Sequence, residues 1–257
     1  MKGTFLRTSL LVAATLATSF VATDANAFTI SGGGNLRETD AELFNLFNSS
    51  VNIERLEMGE NNLPELFADS LKWDGIAGSV DVFFINEGAG YRNQLLFSLN
   101  DGPKHMLFDD VASPESILAN SNGPLMLGDG KSIEDLSGNI GIDFFVKANG
   151  KWNSNGNVYG ADVNENADGL QHMIAREFKQ DNDNWVLIGF EDLYGAHYSE
   201  GGRSDRDFND VVIAVRGVTG DRVDGTTTEV PEPMVTLGLV MVGAVGATTW
   251  RRRQVVA

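Results

Sequence analysis

The chain reads as a mainly β protein, an antiparallel β-sandwich of jelly-roll-like kind with few short helices, preceded by a signal peptide and followed by a transmembrane helix. Three observations predict this. Short runs of apolar, β-branched and aromatic residues recur along the middle of the sequence, segments rich in Gly, Asn, Asp and Ser separate them, and uncharged apolar stretches stand at both ends.

The strand candidates are Val80 to Ile85, Gln94 to Leu99, Ile140 to Val146, Trp185 to Phe190 and Val211 to Val215. VDVFFI and IGIDFFV carry one charge each, so some strands lie between two layers rather than with one face in water. Helical signals are few. Asp40 is placed as an N-cap before Ala41, Leu43, Phe44 and Phe47, and Pro114 to Asn120 predicts a further turn or two. No internal repeat is present. Gly217 to Glu229, with small polar residues and three consecutive Thr, reads as a linker. The expected division is therefore a signal peptide at 1–27, a β domain at 28–216, a linker at 217–229 and a sorting or anchor segment at 230–257.

The two ends agree on direction. Lys2 and Arg7 precede an apolar run around Leu10 to Val21, and Ala25, Asn26 and Ala27 supply the small residues a signal peptidase accepts. Met234 to Trp250 is an uncharged stretch of seventeen residues, bounded by Pro231-Glu232-Pro233 and by Arg251, Arg252 and Arg253. At about 1.5 Å per residue it makes a short span for a hydrocarbon core of roughly 30 Å, and the Arg triplet keeps its end cytoplasmic. The combination resembles the PEP-CTERM sorting signal. That resemblance implies a Gram-negative host that makes extracellular polysaccharide. It also implies an exosortase-type processing protease cutting near Val230 to Pro233, with the protein anchored in the membrane before processing and at the cell surface or outside the cell afterwards.

Charge narrows the partners. The chain has 19 Lys and Arg, 36 Asp and Glu, and a net charge of −17. Five of the basic residues and only Asp24 and Glu232 of the acidic ones fall in the two end segments, which leaves fourteen against thirty-four and a net −20 on the remainder. Nucleic acid is thereby excluded as a partner, and divalent cations are favoured. With no Cys, disulfides, thiolate metal sites and a cysteine nucleophile are excluded as well.

The residues that carry chemistry lie between Asn164 and Val215. A strand ending at Phe190 delivers Glu191 and Asp192 to one rim of a sheet, and the chain returns through a Gly-containing loop to Asp205, Asp207, Asn209 and Asp210. In an extended stretch Asp205, Asp207 and Asn209 share one face. Carboxylates near 4 Å apart repel by roughly 4 kcal/mol at an effective dielectric of about 20, so converging ones need protons or a cation. Oxygen donors without His or Cys suit a hard ion, calcium best. Two other readings stay open: a network of turn residues neutralised by Arg203 or Arg206, and a catalytic carboxylate pair.

GFEDL followed by SDRDFNDVVIAV, with NADGLQH and NEGAGYRNQLLFSL upstream, resembles the bacterial domain of unknown function 4114, over at least Val80 to Val215. The resemblance aligns Glu191, Asp192, Asp205, Asp207, Asn209 and Asp210 with one acidic motif, and Asp168 and His172 with its upstream portion. The loop Tyr194 to Arg203 between the acidic strings is longer here.

Other motifs are weaker. Asn164, Asn166, Asp168 and Gly169 imitate the start of an EF-hand loop, but its twelfth position is Ala175. Asp181 to Asn184 reads as a hairpin turn. Gly130-Lys131-Ser132 lacks the earlier Gly of a phosphate loop, and His105 and His197, expected in exposed loops, have no nucleophile elbow beside them. Trp73, Trp152 and Trp185 suit either packing or stacking on sugar rings. Two functions follow as expectations. One is an envelope or matrix protein with a calcium site and an association with extracellular polysaccharide. The other is a carboxylate-dependent carbohydrate-active hydrolase.

Overall fold

The structure is a computed structural model and describes residues 28–53, 58, 63–180 and 183–223. The expected signal peptide at 1–27, the PEP-CTERM segment at 230–257 and the later part of the linker lie outside those residues. Among the described residues no helix is long and apolar enough to cross a membrane.

The elements run β1 (Thr29–Asn35), α1 (Leu36–Thr39), α2 (Ala41–Ser49), β2 (Glu65–Leu66), β3 (Lys72–Trp73), β4 (Val80–Asn86), β5 (Asn93–Leu99), β6 (His105–Val111) and β7 (Asp129–Glu134). They continue with β8 (Ile142–Lys147), β9 (Val158–Tyr159), β10 (Met173–Gln180), β11 (Asp183–Phe190), β12 (Val211–Arg216) and β13 (Val218–Thr219). The protein is mainly β, antiparallel, with few helices. A large sheet has the order β1-β7-β4-β12-β11-β10-β2, a second has β6-β5-β8-β9, and β13 pairs with β3. Every pairing between these strands is antiparallel.

One buried cluster takes side chains from both larger sheets, among them Phe84, Val186 and Ile213 from one and Leu95, Phe97 and Phe144 from the other. Burying each such side chain contributes about 1.5 to 3 kcal/mol. All seven residues of β4 are buried, as its low charge predicts; its Asp81 is satisfied by Ser79, Ser132 and Arg216. β8 differs. It alternates buried and partly exposed residues, so Asp143 and Phe145 face outward and only one side packs.

The back of the large sheet is covered by α2. Asp40 accepts from the Leu43 N–H at 2.9 Å and starts the helix where its sequence places it; Leu43, Phe44 and Phe47 are buried. Phe47 meets Phe178 edge-on at 5.4 Å and also touches Trp185, so Trp185 is core and unavailable to a sugar. Trp73 also packs against the core, while Trp152 is exposed.

β1, β6, β7 and β10 escaped the pattern. β1 reads TISGGGN and holds its place through backbone pairing with β7, where a Cβ on Gly33 would lie 2.8 Å from the Lys131 nitrogen. β7 carries Gly130, Lys131 and Ser132, which are therefore strand residues and no phosphate loop. β6 carries His105, expected in a loop. Pro114 to Asn120 forms turns and no helix, because side chains compete for its backbone: Asn86 Oδ1 accepts from the Ile117 N–H, and Ser116 Oγ donates to the Ser113 carbonyl. The start of the expected linker is part of the domain. β13 pairs with β3, Val223 N–H donates to the Glu65 carbonyl, and Arg222 pairs with the buried Glu177. Small polar residues thus suit a docked strand as readily as a free tether.

Asp40→Ala is expected to lower stability by about 1 kcal/mol through loss of the helix cap. Urea unfolding read by circular dichroism checks this; an unchanged midpoint would contradict the role of Asp40.

Candidate metal centre

The pairing of β11 with β12 sets the site. Phe190 lies opposite Val211, and the Asp210 N–H donates to the Phe190 carbonyl at 3.1 Å. On the other side β10 pairs with β11, and the Glu191 N–H donates to the His172 carbonyl at 3.0 Å. Glu191 therefore leaves the sheet between two neighbours that fix its backbone.

The long loop does not separate the acidic strings. It closes on itself, with the Tyr198 N–H donating to Ser204 O at 2.8 Å and the Ser204 N–H to Ala196 O at 3.3 Å. Gly201 turns back at φ 85°, a conformation that favours Gly. The insertion is a side excursion with a narrow neck, and Asp205 resumes close to where Asp192 left off.

Carboxylate oxygens of Glu191, Asp192 and Asp210 lie within 4.8 Å of one another, and so do those of Glu191, Asp205 and Asp207. Glu191 belongs to both groups. It is fully buried, Asp207 and Asp192 are nearly so, and Asp205 is partly exposed. Asn209 is buried too; its Nδ2 donates to the Ile53 carbonyl at 3.2 Å.

The extended-strand argument reached Asp205 and Asp207 by the wrong route. Arg206 and Phe208 have φ of 57° and 56°, so 205–209 is a sequence of tight turns, and the Asn209 N–H donates to Asp207 Oδ1. Those turns send Asp210 to one group and Asp205 and Asp207 to the other.

Protein donors satisfy part of this oxygen cage. Asn93 Nδ2 donates to Asp192 Oδ2 at 2.5 Å, the Asp192 N–H to Asp210 Oδ2 at 2.7 Å and the Leu193 N–H to Glu191 Oε1 at 3.1 Å. Glu191 Oε2 and Asn209 Oδ1 are buried with no hydrogen-bond partner among the described residues. Such acceptors are costly unless a proton or cation meets them. Arginine does not meet the need. Arg206 donates to the Gln171 carbonyl and lies over the Phe208 ring at 5.0 Å, and Arg203 is exposed. Among the described residues no Lys or Arg forms an ion pair with Glu191, Asp192, Asp205 or Asp210.

Burial, reinforced by Glu191, Asp205 and Asp207, pushes the Asp192 carboxyl up to about 7 despite the Asn93 bond. Burial and then Asp192 and Glu191 raise Asp210 well above the usual carboxylate range. Behind them, Glu87 is pushed up to about 8 by burial, against the Ser116 hydrogen bond.

A second group supports the Glu191 backbone. His172, fully buried, stacks on Tyr159 at 3.8 Å; its Nδ1 bonds the Glu191 carbonyl at 2.7 Å and its Nε2 bonds Asp168 at 3.0 Å. Asp168 also accepts from the Gly195 and Leu170 N–H groups, so its oxygens brace the loop and do not enter the cage. Asn166 is likewise spent on Gly160 and Leu170. The EF-hand-like string is thus a loop clamp. Sequence reasoning missed Glu87, Asn93 and Tyr159, although Glu87 and Asn93 both stand in the string NEGAGYRNQLLFSL.

Fold and site together define an antiparallel β domain with an anionic oxygen cage on its rim, the donor chemistry of a hard cation. Residues 134–218 match the family model described as a domain of unknown function (DUF4114). The match takes in β8 to β12, the five grouped carboxylates and Asn209; residues 80–133, with Glu87 and Asn93, fall outside it. No curated protein and no solved structure matches the chain.

Without metal, the raised Asp192, Asp210 and Glu87 make the protein most stable when they are protonated. Folded-state affinities above the unfolded ones mean that stability is present near pH 4 and lost as pH rises through about 7 to 8. In chelator the melting temperature should fall between pH 5 and 8, and Asp192→Asn should flatten the fall; a melting curve indifferent to pH over that range would contradict the assignment.

Proposed function

We propose that this protein is a calcium-binding envelope or matrix protein. It is exported through the leader at 1–27, held in the membrane by Met234 to Trp250, processed at the Pro-Glu-Pro segment by an exosortase-type protease, and associated with extracellular polysaccharide. The domain is taken as a sandwich of jelly-roll-like kind, a reading supported by the one core that its two larger sheets share.

The observation that carries the calcium reading is Glu191. Its carboxylate stands where the two acidic groups meet, and its buried Oε2 has no hydrogen-bond partner among the described residues. Calcium accepts six to eight oxygens in flexible geometry, whereas magnesium demands a tight octahedron and retains water. Glu191, Asp192, Asp205, Asp207 and Asp210 supply the carboxylates, and Asn209 Oδ1 is the neutral donor. The alternative, a carboxylate-dependent hydrolase, is supported less well. Catalytic carboxyl pairs stand about 5 Å or 6.5 to 9.5 Å apart in an open groove, and here five crowd together, most of them buried.

The test is thermal unfolding of the purified full-length chain at pH 7 in calcium and in chelator. Calcium at about a hundred times its dissociation constant adds roughly 2.7 kcal/mol. In a chain of this size that is a rise of about 5 to 10 °C. Glu191→Gln should abolish the rise. Identical melting with and without calcium would overturn the proposal.

A further inference from the structure

Beside the cage lies a cavity of about 200 Å³, lined by Tyr91, Tyr194, Tyr159, Asp192 and the four asparagines 149, 153, 155 and 157. Tyr91 and Tyr194 are exposed, 41% and 57%. Exposed aromatic rings beside a wall of amides make a polar hollow with stacking faces, unlike the apolar lining usual for hydrophobic ligands.

Much of that wall has hydrogen-bonding capacity to spare. Asn157 Nδ2 donates to the hydroxyl of the fully buried Tyr159 at 2.9 Å, and the Oδ1 of the exposed Asn157 has no partner among the described residues. The Asn155 side chain has no partner among the described residues either; only its N–H is engaged, with Asn153 Oδ1 at 3.0 Å. The loop that carries these amides is tied back on itself. Asn153 N–H donates to Asn149 O, Gly156 N–H to Asn153 O, and a Cβ on Gly156 would lie 2.1 Å from the Ala148 carbonyl oxygen.

The hollow is also joined to the cage. Asn149 N–H donates to Asn93 Oδ1 at 2.9 Å, and Asn93 Nδ2 donates to Asp192 Oδ2. Asp192 thus faces both, and an ion that fixes its carboxylate also fixes one wall of the hollow.

We infer that this cavity is a carbohydrate subsite for a single neutral pyranose unit, with Tyr91 and Tyr194 as stacking faces and Asn155 and Asn157 as the hydroxyl-reading groups. The inference deepens the proposed polysaccharide association by giving it a place. Sugar hydroxyls both donate and accept, which matches amides. A uronate or phosphate is disfavoured, because no Lys or Arg lines the hollow and Asp192 does. Calcium and sugar are expected to strengthen each other's binding through Asp192 and Asn93, by reciprocity.

The experiment uses the full-length chain in a detergent without a sugar headgroup, titrated by calorimetry in calcium. Methyl glucoside, methyl mannoside and methyl galactoside are the ligands, with methyl galacturonate as the anionic control, and the calcium-induced melting shift is read on each sample. At least one neutral glycoside should bind with a dissociation constant on the order of 1 mM. Tyr194→Ala and Asn155→Ala should each weaken it at least fivefold while the melting shift persists. No neutral glycoside bound, galacturonate alone bound, or binding indifferent to both substitutions would overturn the inference. If the melting shift is intact in those cases, the calcium reading survives; if the shift is absent but a neutral glycoside binds through Tyr194 and Asn155, the subsite survives and the calcium reading fails.

Discussion

Repulsion among buried carboxylates is the constraint on which this molecule turns. Five acidic side chains meet at one rim, and two unit charges about 4 Å apart cost on the order of 4 kcal/mol at an intermediate dielectric. Hydrogen bonds from Asn93, the Asp192 backbone and the Leu193 backbone offset some of that, and Glu191 Oε2 receives none among the described residues. The pairing of β10, β11 and β12 places Glu191, Asp192 and Asp210 at that rim. In the large sheet β11 and β12 each have a paired neighbour on both sides.

Much of this was legible in the residues. The five predicted strands fall on β4, β5, β8, β11 and β12, because their apolar and β-branched runs are continuous. Strands β1 and β7 were not, since a strand of Gly and Ser paired through its backbone carries no side-chain period. The acidic groups could be named from GFEDL and SDRDFNDVV because strand ends bring their flanking residues to one rim. Their grouping could not, since it depends on left-handed turns at Arg206 and Phe208, where neither residue type advertises such a conformation.

Contacts between distant segments were hidden for a different reason. Glu87 and Asn93 stand about a hundred residues before Asp192, and only the sheet topology makes them neighbours. Asp168 and His172 matched the upstream portion of the motif that carries the acidic residues. In the structure they brace the backbone of Glu191 and the neck of the loop, so carboxylates of the same kind divide into those that hold the site and those that form it. The amide wall beside Asp192 shows the same division, with Asn153 and Asn157 bonded within the loop and the Asn155 side chain left exposed.

The central proposal is that the rim carries protons until a cation replaces them. Calorimetric titration of calcium at pH 6 in two buffers of different ionisation enthalpy measures that exchange directly. Release of about one or more protons per calcium bound is the expected result, because Asp192 and Asp210 must ionise to ligate. Calcium binding with no proton release, or no binding heat in either buffer, would contradict it.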